Sequence, residues 1–372
     1  MALAPTNTTV AYSILFLCII SWGSYAPLRR TSPHVPGAAF GTLAFVAEFL
    51  WACAISFTFG SITEPGHAGN NSTEYQLLDS DSNFFQRLAS DVTLNPGNAV
   101  LIVLGGMFVG FGDSVSFSVL TYVPSSLAFP LIVGTCTAVG TTISYIVDGS
   151  ENPVLLFAGV ALLIPSIVFL AWAQSNMDPV LTEDIELDTL PGLEEKTTTL
   201  PVSSPSPATA ATTATPTWKW IVLLLAIGSL NSLWGPLSTV GRRNVSVHSG
   251  YFLLTMGRIG IQPMSQSLTQ LLVFKKNPRA LLTQVYDVPR RDKLCAFGCG
   301  LLIGLGYYSY FIGSNVVNKS AAFAISNCSP LWTICLGVCV QKDLQRYQNR
   351  AKIAVGLSTV CFIASISVLC LV

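Results

Sequence analysis

Charged side chains are scarce in this chain. Only 10% of its 372 residues are charged and 51% are hydrophobic, whereas soluble domains carry roughly a quarter charged residues. The 19 basic and 19 acidic residues give a net charge of zero, which excludes the basic surface that a nucleic-acid partner would need. This composition predicts a multi-pass protein embedded in a lipid bilayer.

Sequence patterns for metal binding are missing as well. The ten cysteines fall mostly inside apolar stretches, and pairs such as Cys295 and Cys299 have helical i, i+4 spacing instead of zinc-knuckle spacing. We interpret them as packing residues and expect no metal, no cofactor and no enzymatic activity. The first ten residues contain no Lys or Arg and no cleavage site follows, which favours a retained signal anchor.

Ten apolar stretches are long enough to cross a hydrocarbon core of about 30 Å, which takes roughly 20 helical residues. The predicted fold class is therefore an all-α integral membrane protein with ten transmembrane helices. The predicted segments are residues 10–27, 36–60, 98–122, 124–147, 153–174, 218–240, 248–274, 294–314, 318–340 and 351–372.

The two halves of the chain share short sequence patterns. A Trp-Gly pair at Trp22 recurs 212 residues later at Trp234, and a Gly-x-Gly pattern at Gly110 recurs 194 residues later at Gly304. The polar loops 61–97 and 275–293 have 37 and 19 residues, and this difference equals the difference between the two offsets. A single change in loop length therefore explains both offsets.

The repeat predicts how the chain is organised. Residues 1–174 and 218–372 each hold five predicted helices, and because five is odd the second half enters the bilayer from the opposite side. We therefore predict two inverted five-helix repeats. The segment between them, residues 175–217, is acidic and then rich in Ser, Thr and Pro, which predicts a disordered linker.

The distribution of Lys and Arg predicts an orientation. With the N-terminus outside, the inner loops hold 14 basic residues and the outer loops hold four. The positive-inside rule then places both termini on the extracellular or lumenal side and the linker in the cytoplasm, at the plasma membrane or an endomembrane. Glycosylation sequons at Asn7, Asn70 and Asn71 would lie on the outer side.

Three charged residues lie near the middle of predicted membrane helices, where each costs roughly 2.5 to 3.5 kcal/mol. Glu48 and Arg258 occupy equivalent helices of the two halves, which predicts a gating or structural ion pair. Asp113 corresponds to Tyr307 in the repeat, so we expect it to lack a partner cation. Such a carboxylate would exchange a proton near neutral pH and is the candidate for proton coupling; the alternative is a neutral or solvated aspartate.

Polar residues of the seventh segment share one helix face. Gln262, Gln266 and Gln270 follow Arg258 at i, i+4 spacing. Amides facing lipid would be too costly, so this face must meet protein or a water-filled cavity. Substrate contact by Gln262 and Gln266 is one hypothesis, and hydrogen bonding between helices is the other.

Trp22 and Trp234 occupy matching positions, and each is followed by Gly and then Pro. Gly and Pro interrupt helices, which is how transporters build binding sites near the bilayer midplane. We therefore predict that both indoles, together with Asn231 one turn before Trp234, contact substrate. Aromatic residues that anchor helices at the membrane interface are the alternative.

One motif suggests a different function. Residues 110–113, Gly-Phe-Gly-Asp, match the GxGD pattern of intramembrane aspartyl proteases. Such a protease needs a second carboxyl group that shares a proton with the first, but the Tyr-Asp pair at residues 286–287 lies in a late polar loop. This protease and a non-transporting membrane scaffold or receptor are the two alternative functions.

The sequence Ser-Leu-Ala-Phe-Pro at 126–130, followed by Gly134 and Val-Gly-Thr-Thr at 139–142, resembles the fourth helix of bacterial glucose/ribose porters. Residues 22–30 resemble the first helix of those porters and of related eukaryotic carbohydrate transporters. Spacing and linker are also similar to plant ureide permeases, although residues 175–217 lack their GxxxxGK loop. All belong to the drug/metabolite transporter superfamily.

This resemblance implies a secondary active transporter that works by alternating access. The implied substrate is a small neutral polar solute, sugar-like or ureide- and nucleobase-like, and protons are a further candidate partner through Asp113. The repeat departs from the pattern at Ala324, which stands where Pro130 would recur.

Overall fold

The structure is a computed structural model, and within the residues it describes it is all-helical. These residues are 7–29, 31–32, 34–61, 83–119, 125–148, 152–175, 218–272, 284–317, 319–339 and 349–371. The sequons at Asn70 and Asn71, and the predicted linker after residue 175, lie outside them.

Among the described residues before the linker there are six α-helices, and a short 3-10 helix, Phe59–Ser61, continues the second of them. They are α1 (Thr8–Arg29), α2 (Gly37–Thr58), α3 (Phe84–Leu94), α4 (Pro96–Val119), α5 (Ser125–Asp148) and α6 (Pro153–Ser175). Seven described helices follow it. They are α7 (Trp218–Asn231), α8 (Trp234–Gly241), α9 (Val247–Leu272), α10 (Arg290–Gly313), α11 (Lys319–Ser326), α12 (Ser329–Cys339) and α13 (Asn349–Leu369).

In the part of the chain that the structure describes, six helical stretches are long and apolar enough to cross a membrane, which indicates a membrane-embedded protein. They are Thr8–Arg29, Gly37–Ser61, Pro96–Val119, Val222–Gly241, Arg290–Gly313 and Lys352–Leu369. Two shorter apolar stretches, Leu131–Val147 and Pro153–Phe169, lie in α5 and α6. Helix α9 has 26 residues, but Arg258 and its glutamines lower its hydropathy.

Two predicted helices each contain a two-residue interruption, the first of them within the membrane-length stretch Val222–Gly241. Residues 218–240 form α7 and α8, with a break at residues 232–233, and residues 319–339 form α11 and α12, with a break at residues 327–328. A proline follows each break, Pro236 in α8 and Pro330 in α12. Because proline has no N–H and clashes with the carbonyl four residues earlier, each interrupts the helical bonding across its break.

The loop predicted over residues 61–97 contains a helix. Asn83 and Gln86 form a capping box at the start of α3: the Asn83 side chain accepts from the Gln86 N–H at 3.0 Å, and the Gln86 side chain accepts from the Asn83 N–H at 3.0 Å. Asp91 of α3 then accepts a 2.8 Å hydrogen bond from the Ser246 hydroxyl. The capping box stabilises the start of α3, and the Asp91 bond holds α3 against the start of α9.

Helices before and after the linker are interleaved. Helix α4 packs against α8 and α9, whereas α10 packs against α1 and α2. Glycine allows these close approaches: a Cβ atom at Gly106 of α4 would lie 2.9 Å from the Leu254 carbonyl carbon, and one at Gly300 of α10 would lie 2.9 Å from that of Ala44. The glycines that match between the halves therefore serve helix packing.

Candidate functional site

The two helix breaks meet at one cavity. Its empty space, including the open mouth, is about 640 Å³. Asn231 and Trp234 flank the first break, Asn327 and Ser329 lie at the second, and all four line the cavity. The other lining residues come from α1, α4, α5 and α10: Trp22, Tyr25, Val109, Asp113, Ser116, Phe129, Ile132, Val133, Cys136, Ile303 and Tyr307.

Three large aromatic rings form one wall. The ring centroids of Trp22 and Trp234 are 6.0 Å apart, and Tyr307 lies 5.0 Å from Trp22 and 5.1 Å from Trp234, all in edge-to-face contacts. The Trp22 indole N–H also donates to the Ile303 carbonyl at 3.4 Å. Each ring is thereby held by the others, so the wall presents a fixed aromatic surface.

Glycines of the repeated Gly-x-Gly pattern shape this site. A Cβ atom at Gly112 would overlap the Asn231 amide oxygen, and one at Gly306 would overlap the Trp22 indole nitrogen. The two glycines occupy equivalent positions of the halves. The pattern therefore leaves room for a cavity-lining side chain in each half.

A buried ion cluster lies directly behind the aromatic wall. The Arg258 guanidinium binds Glu48 through two nitrogens, with Nε at 2.8 Å from Oε1 and Nη2 at 3.0 Å from Oε2. Its Nη1 donates to Asp113 Oδ2 and to the Tyr307 hydroxyl, both at 2.9 Å. The Arg258 and Glu48 side chains are 0% and 1% exposed, whereas Asp113 is 19% exposed because it faces the cavity.

The sequence-based expectation that Asp113 lacks a partner cation is wrong. Besides the Arg258 contact, the Asn231 amide nitrogen donates to Asp113 Oδ1 at 3.2 Å. The repeat comparison considered only the residue equivalent to Asp113, whereas its actual partner comes from α9, against which α4 packs. The predicted Glu48–Arg258 ion pair is present, and its gating or structural role stays a prediction.

The structure brings four of the predicted binding and coupling residues together at the cavity: Trp22, Asp113, Asn231 and Trp234. Gln262 and Gln266 lie elsewhere, between α9 and its neighbours. The Gln262 amide donates to the Thr42 hydroxyl at 2.6 Å, and Gln266 accepts from the Ser118 hydroxyl at 3.4 Å. This arrangement matches the alternative interpretation, hydrogen bonding between helices.

Sequence reasoning missed the contribution of the second helix break. Asn327 and Ser329 line the cavity, but they fall inside a segment predicted as one continuous helix. A signal was present, because Asn-Cys-Ser-Pro at 327–330 contains turn-forming residues followed by proline. Tyr307 was considered only as the counterpart of Asp113, although it forms part of the aromatic wall.

The predicted glycosylation site at Asn7 is exposed. Asn7 lies at the start of α1, and its side-chain oxygen accepts a hydrogen bond from the Thr9 N–H at 2.8 Å. Within the described ranges, no group of three or more His, Cys, Asp or Glu side chains is placed to hold a metal ion.

Comparisons with known proteins bear on the fold. No protein-family model matches the chain, and no curated protein matches it. A solved structure described only as "Crystal structure of protein" is similar over 98% of this chain and 98% of its own, with a TM-score of 0.56 and 13% sequence identity. At that identity the likeness shows a shared fold and carries no information on activity.

Proposed function

We propose that this protein is a secondary active transporter that moves a small neutral polar solute across a membrane by alternating access. The observation that carries the proposal is the meeting of two helix breaks at one cavity. Interrupted helices expose backbone groups that a continuous helix uses internally, and transporters place their substrate sites at such breaks. Backbone of this kind is tolerated at membrane depth only where it is covered by protein or lines a cavity.

The proposed architecture is ten membrane-crossing segments in two inverted five-helix repeats. The interleaving of α4 with α8 and α9, and of α10 with α1 and α2, supports it because each half contributes the same pattern of contacts to the other. In the proposed orientation both termini are extracellular or lumenal and the linker is cytoplasmic. The membrane is the plasma membrane or an endomembrane.

The cavity lining supports a polar substrate without charge. Asn231 and Asn327 offer amides, Ser116 and Ser329 offer hydroxyls, and the aromatic wall offers apolar surface. Fixed amides and hydroxyls suit the hydroxyl and carbonyl groups of a neutral solute. Sugar-like solutes and ureide- or nucleobase-like solutes both satisfy this description. Asp113, at the cavity surface, is the proposed link to proton movement.

The contacts of Asp113 favour transport over proteolysis. An aspartyl protease needs two carboxyl groups that share a proton directly, whereas Asp113 is bonded to Arg258 and Asn231. The second aspartate of the protease hypothesis, Asp287, is exposed next to Tyr286, which is 80% exposed. A scaffold function would leave the polar cavity without a role, whereas a receptor would bind a solute there without moving it across the membrane.

Uptake into vesicles tests the proposal. Purified protein is reconstituted and offered a panel of sugars, ureides and nucleobases, with and without a proton gradient. The expected result is saturable uptake of one class. Asn231→Ala should raise its half-saturation concentration roughly 5- to 150-fold, corresponding to about 1 to 3 kcal/mol for a lost buried hydrogen bond.

The matched control is Asn349→Ala, which removes an exposed asparagine at the start of α13. It should leave uptake unchanged. No uptake of any panel member by folded wild-type protein, or equal effects of the two variants, would contradict the proposal.

A further inference from the structure

The buried ion cluster of Glu48, Arg258 and Asp113 does not balance its charges. One guanidinium faces two carboxylates. Among the residues that the structure describes, the other titratable side chains that face the cluster are phenols and a thiol, which carry no charge near neutral pH. They are Tyr25 of α1, Cys136 of α5, Tyr251 of α9 and Tyr307 of α10. With both carboxylates ionised, the cluster therefore has a net charge of −1.

An uncompensated charge at this depth is costly, because little solvent reaches it. Glu48 and Arg258 are almost fully enclosed, so only Asp113 can exchange with the cavity. Addition of one proton to a carboxylate oxygen brings the net charge from −1 to zero and breaks no covalent bond. A second proton would leave the guanidinium uncompensated, so the cluster favours one proton and not two.

We propose that Glu48 and Asp113 form a single proton-binding site, joined by Arg258, which holds one proton between them. Interacting carboxylates titrate as a pair, so the charge on Glu48 is as necessary for proton binding as the cavity-facing carboxylate of Asp113. The use of this proton to drive solute movement rests on the proposed transport function. Binding of the proton does not.

The geometry indicates how the proton is accommodated. Glu48 occupies two nitrogens of Arg258, whereas Asp113 has one guanidinium nitrogen, Nη1, which it shares with Tyr307, and the Asn231 amide. Of the two carboxylates, only Asp113 lines the cavity, so the proton enters the cluster through Asp113. If Glu48 were neutral, the guanidinium would be balanced by Asp113 alone, and Asp113 would stay ionised without a proton.

Tryptophan fluorescence can report this proton in purified protein, independently of transport. Trp22 and Trp234 both contact the Tyr307 ring, and the Tyr307 hydroxyl is bonded to Arg258. We expect wild-type protein to show one single-proton transition with pH. Glu48→Gln and Asp113→Asn should each abolish it, since each leaves the cluster neutral without a proton.

Asp287→Asn is the control, because it removes an exposed carboxylate outside the cluster; it should retain the transition. Retention in folded Glu48→Gln, with loss in Asp113→Asn, would assign the proton to Asp113 alone and overturn the proposal. Retention in both variants, or no transition in wild-type protein, would also overturn it.

A second variant keeps the test decisive if Glu48→Gln does not fold. Glu48→Asp preserves the charge but moves it, so the transition should persist with a shifted midpoint; an unchanged midpoint would overturn the pairing of the two carboxylates.

The same titration in Na⁺, K⁺ and N-methylglucamine tests whether a metal ion binds instead of a proton. A fluorescence change elicited by Na⁺ or K⁺ at constant pH would also overturn the proposal. An intact transition without any solute uptake would contradict only the proposed function.

Discussion

The contact between Gly112 and Asn231 offers a sharp test of how packing sets the cavity. A Cβ atom at position 112 would overlap the Asn231 amide oxygen and lie 2.6 Å from its Cγ atom. Carbon atoms in contact are about 3.5 to 4.0 Å apart, so in Gly112→Ala the Asn231 Cγ atom must withdraw by roughly 1 Å, and the overlapping amide oxygen must move further. That movement breaks its 3.2 Å hydrogen bond to Asp113.

The expected loss of stability follows from two destabilising effects and one stabilising effect. Overpacking costs about 1 to 3 kcal/mol, and loss of a hydrogen bond to a charged group costs about 1.5 to 3 kcal/mol. Replacing a helical glycine by alanine returns about 0.5 to 1 kcal/mol. We therefore expect Gly112→Ala to lower the free energy of unfolding by about 1.5 to 5.5 kcal/mol, with relaxation of the neighbours moving the value towards the lower end.

Unfolding of the detergent-purified variants measures this effect, with Gly260→Ala as the matched control. Gly260 also lies in a long helix, α9, but its added Cβ would meet no atom within 4 Å apart from the adjacent backbone of that helix. This control should be neutral or slightly stabilised by helix propensity. If the two variants have the same free energy of unfolding, the stability of the protein does not depend on the close approach of Asn231 to Gly112.

Three further predictions concern separate contacts. Arg258→Met leaves two buried carboxylates without their cation and should cost about 3 to 5 kcal/mol in detergent unfolding measurements. Gly306→Ala should displace the Trp22 indole and change its fluorescence, because the added Cβ overlaps the ring. Asn83→Ala should lose about 1 kcal/mol of α3 stability and speed amide hydrogen exchange in residues 84–94, since the bond between Asn83 and the Gln86 N–H is lost.

Each of these has a defined contrary result. An unchanged free energy of unfolding in Arg258→Met would mean that a group other than Arg258 balances the charge of the two carboxylates. Unchanged tryptophan fluorescence in Gly306→Ala, with Gly356→Ala as the control that meets no atom within 4 Å, would remove the packing role of the glycine. Unchanged exchange in Asn83→Ala would show that contacts with α9, and not the cap, order α3.

The ion cluster contains one contact that the sequence predicts and one that it does not. Equivalent helices of a repeat suggested Glu48 and Arg258 as partners, and they are in contact. Asp113 was expected to stand alone because the repeat compares positions only within equivalent helices. Its bond to Arg258 depends on Nη1 projecting towards α4 once α9 packs there, and no spacing along the chain encodes that direction.

The helix breaks show a second limit. Prolines Pro27, Pro165 and Pro263 lie inside continuous helices, whereas Pro236 and Pro330 follow breaks. Sequence therefore marks possible interruptions without deciding which occur. Neighbouring helices decide, because carbonyls freed by a proline must find other partners or line a cavity.

The sequence by itself determined that this protein is helical and embedded in a membrane. Apolar length and the scarcity of charge are local properties, and backbone groups in lipid must be satisfied within a helix. Helical spacing likewise determined that Arg258, Gln262 and Gln266 share one face. It did not determine which helix covers that face.

Tertiary structure decided which of these polar residues reach the cavity. Packing of α9 against α2 and α4 places Gln262 and Gln266 between helices and joins Arg258 to both carboxylates. Where two helices approach depends on small residues on both partners, such as Gly106 and Gly300. The cavity is therefore a product of contacts between distant segments, which no local pattern specifies.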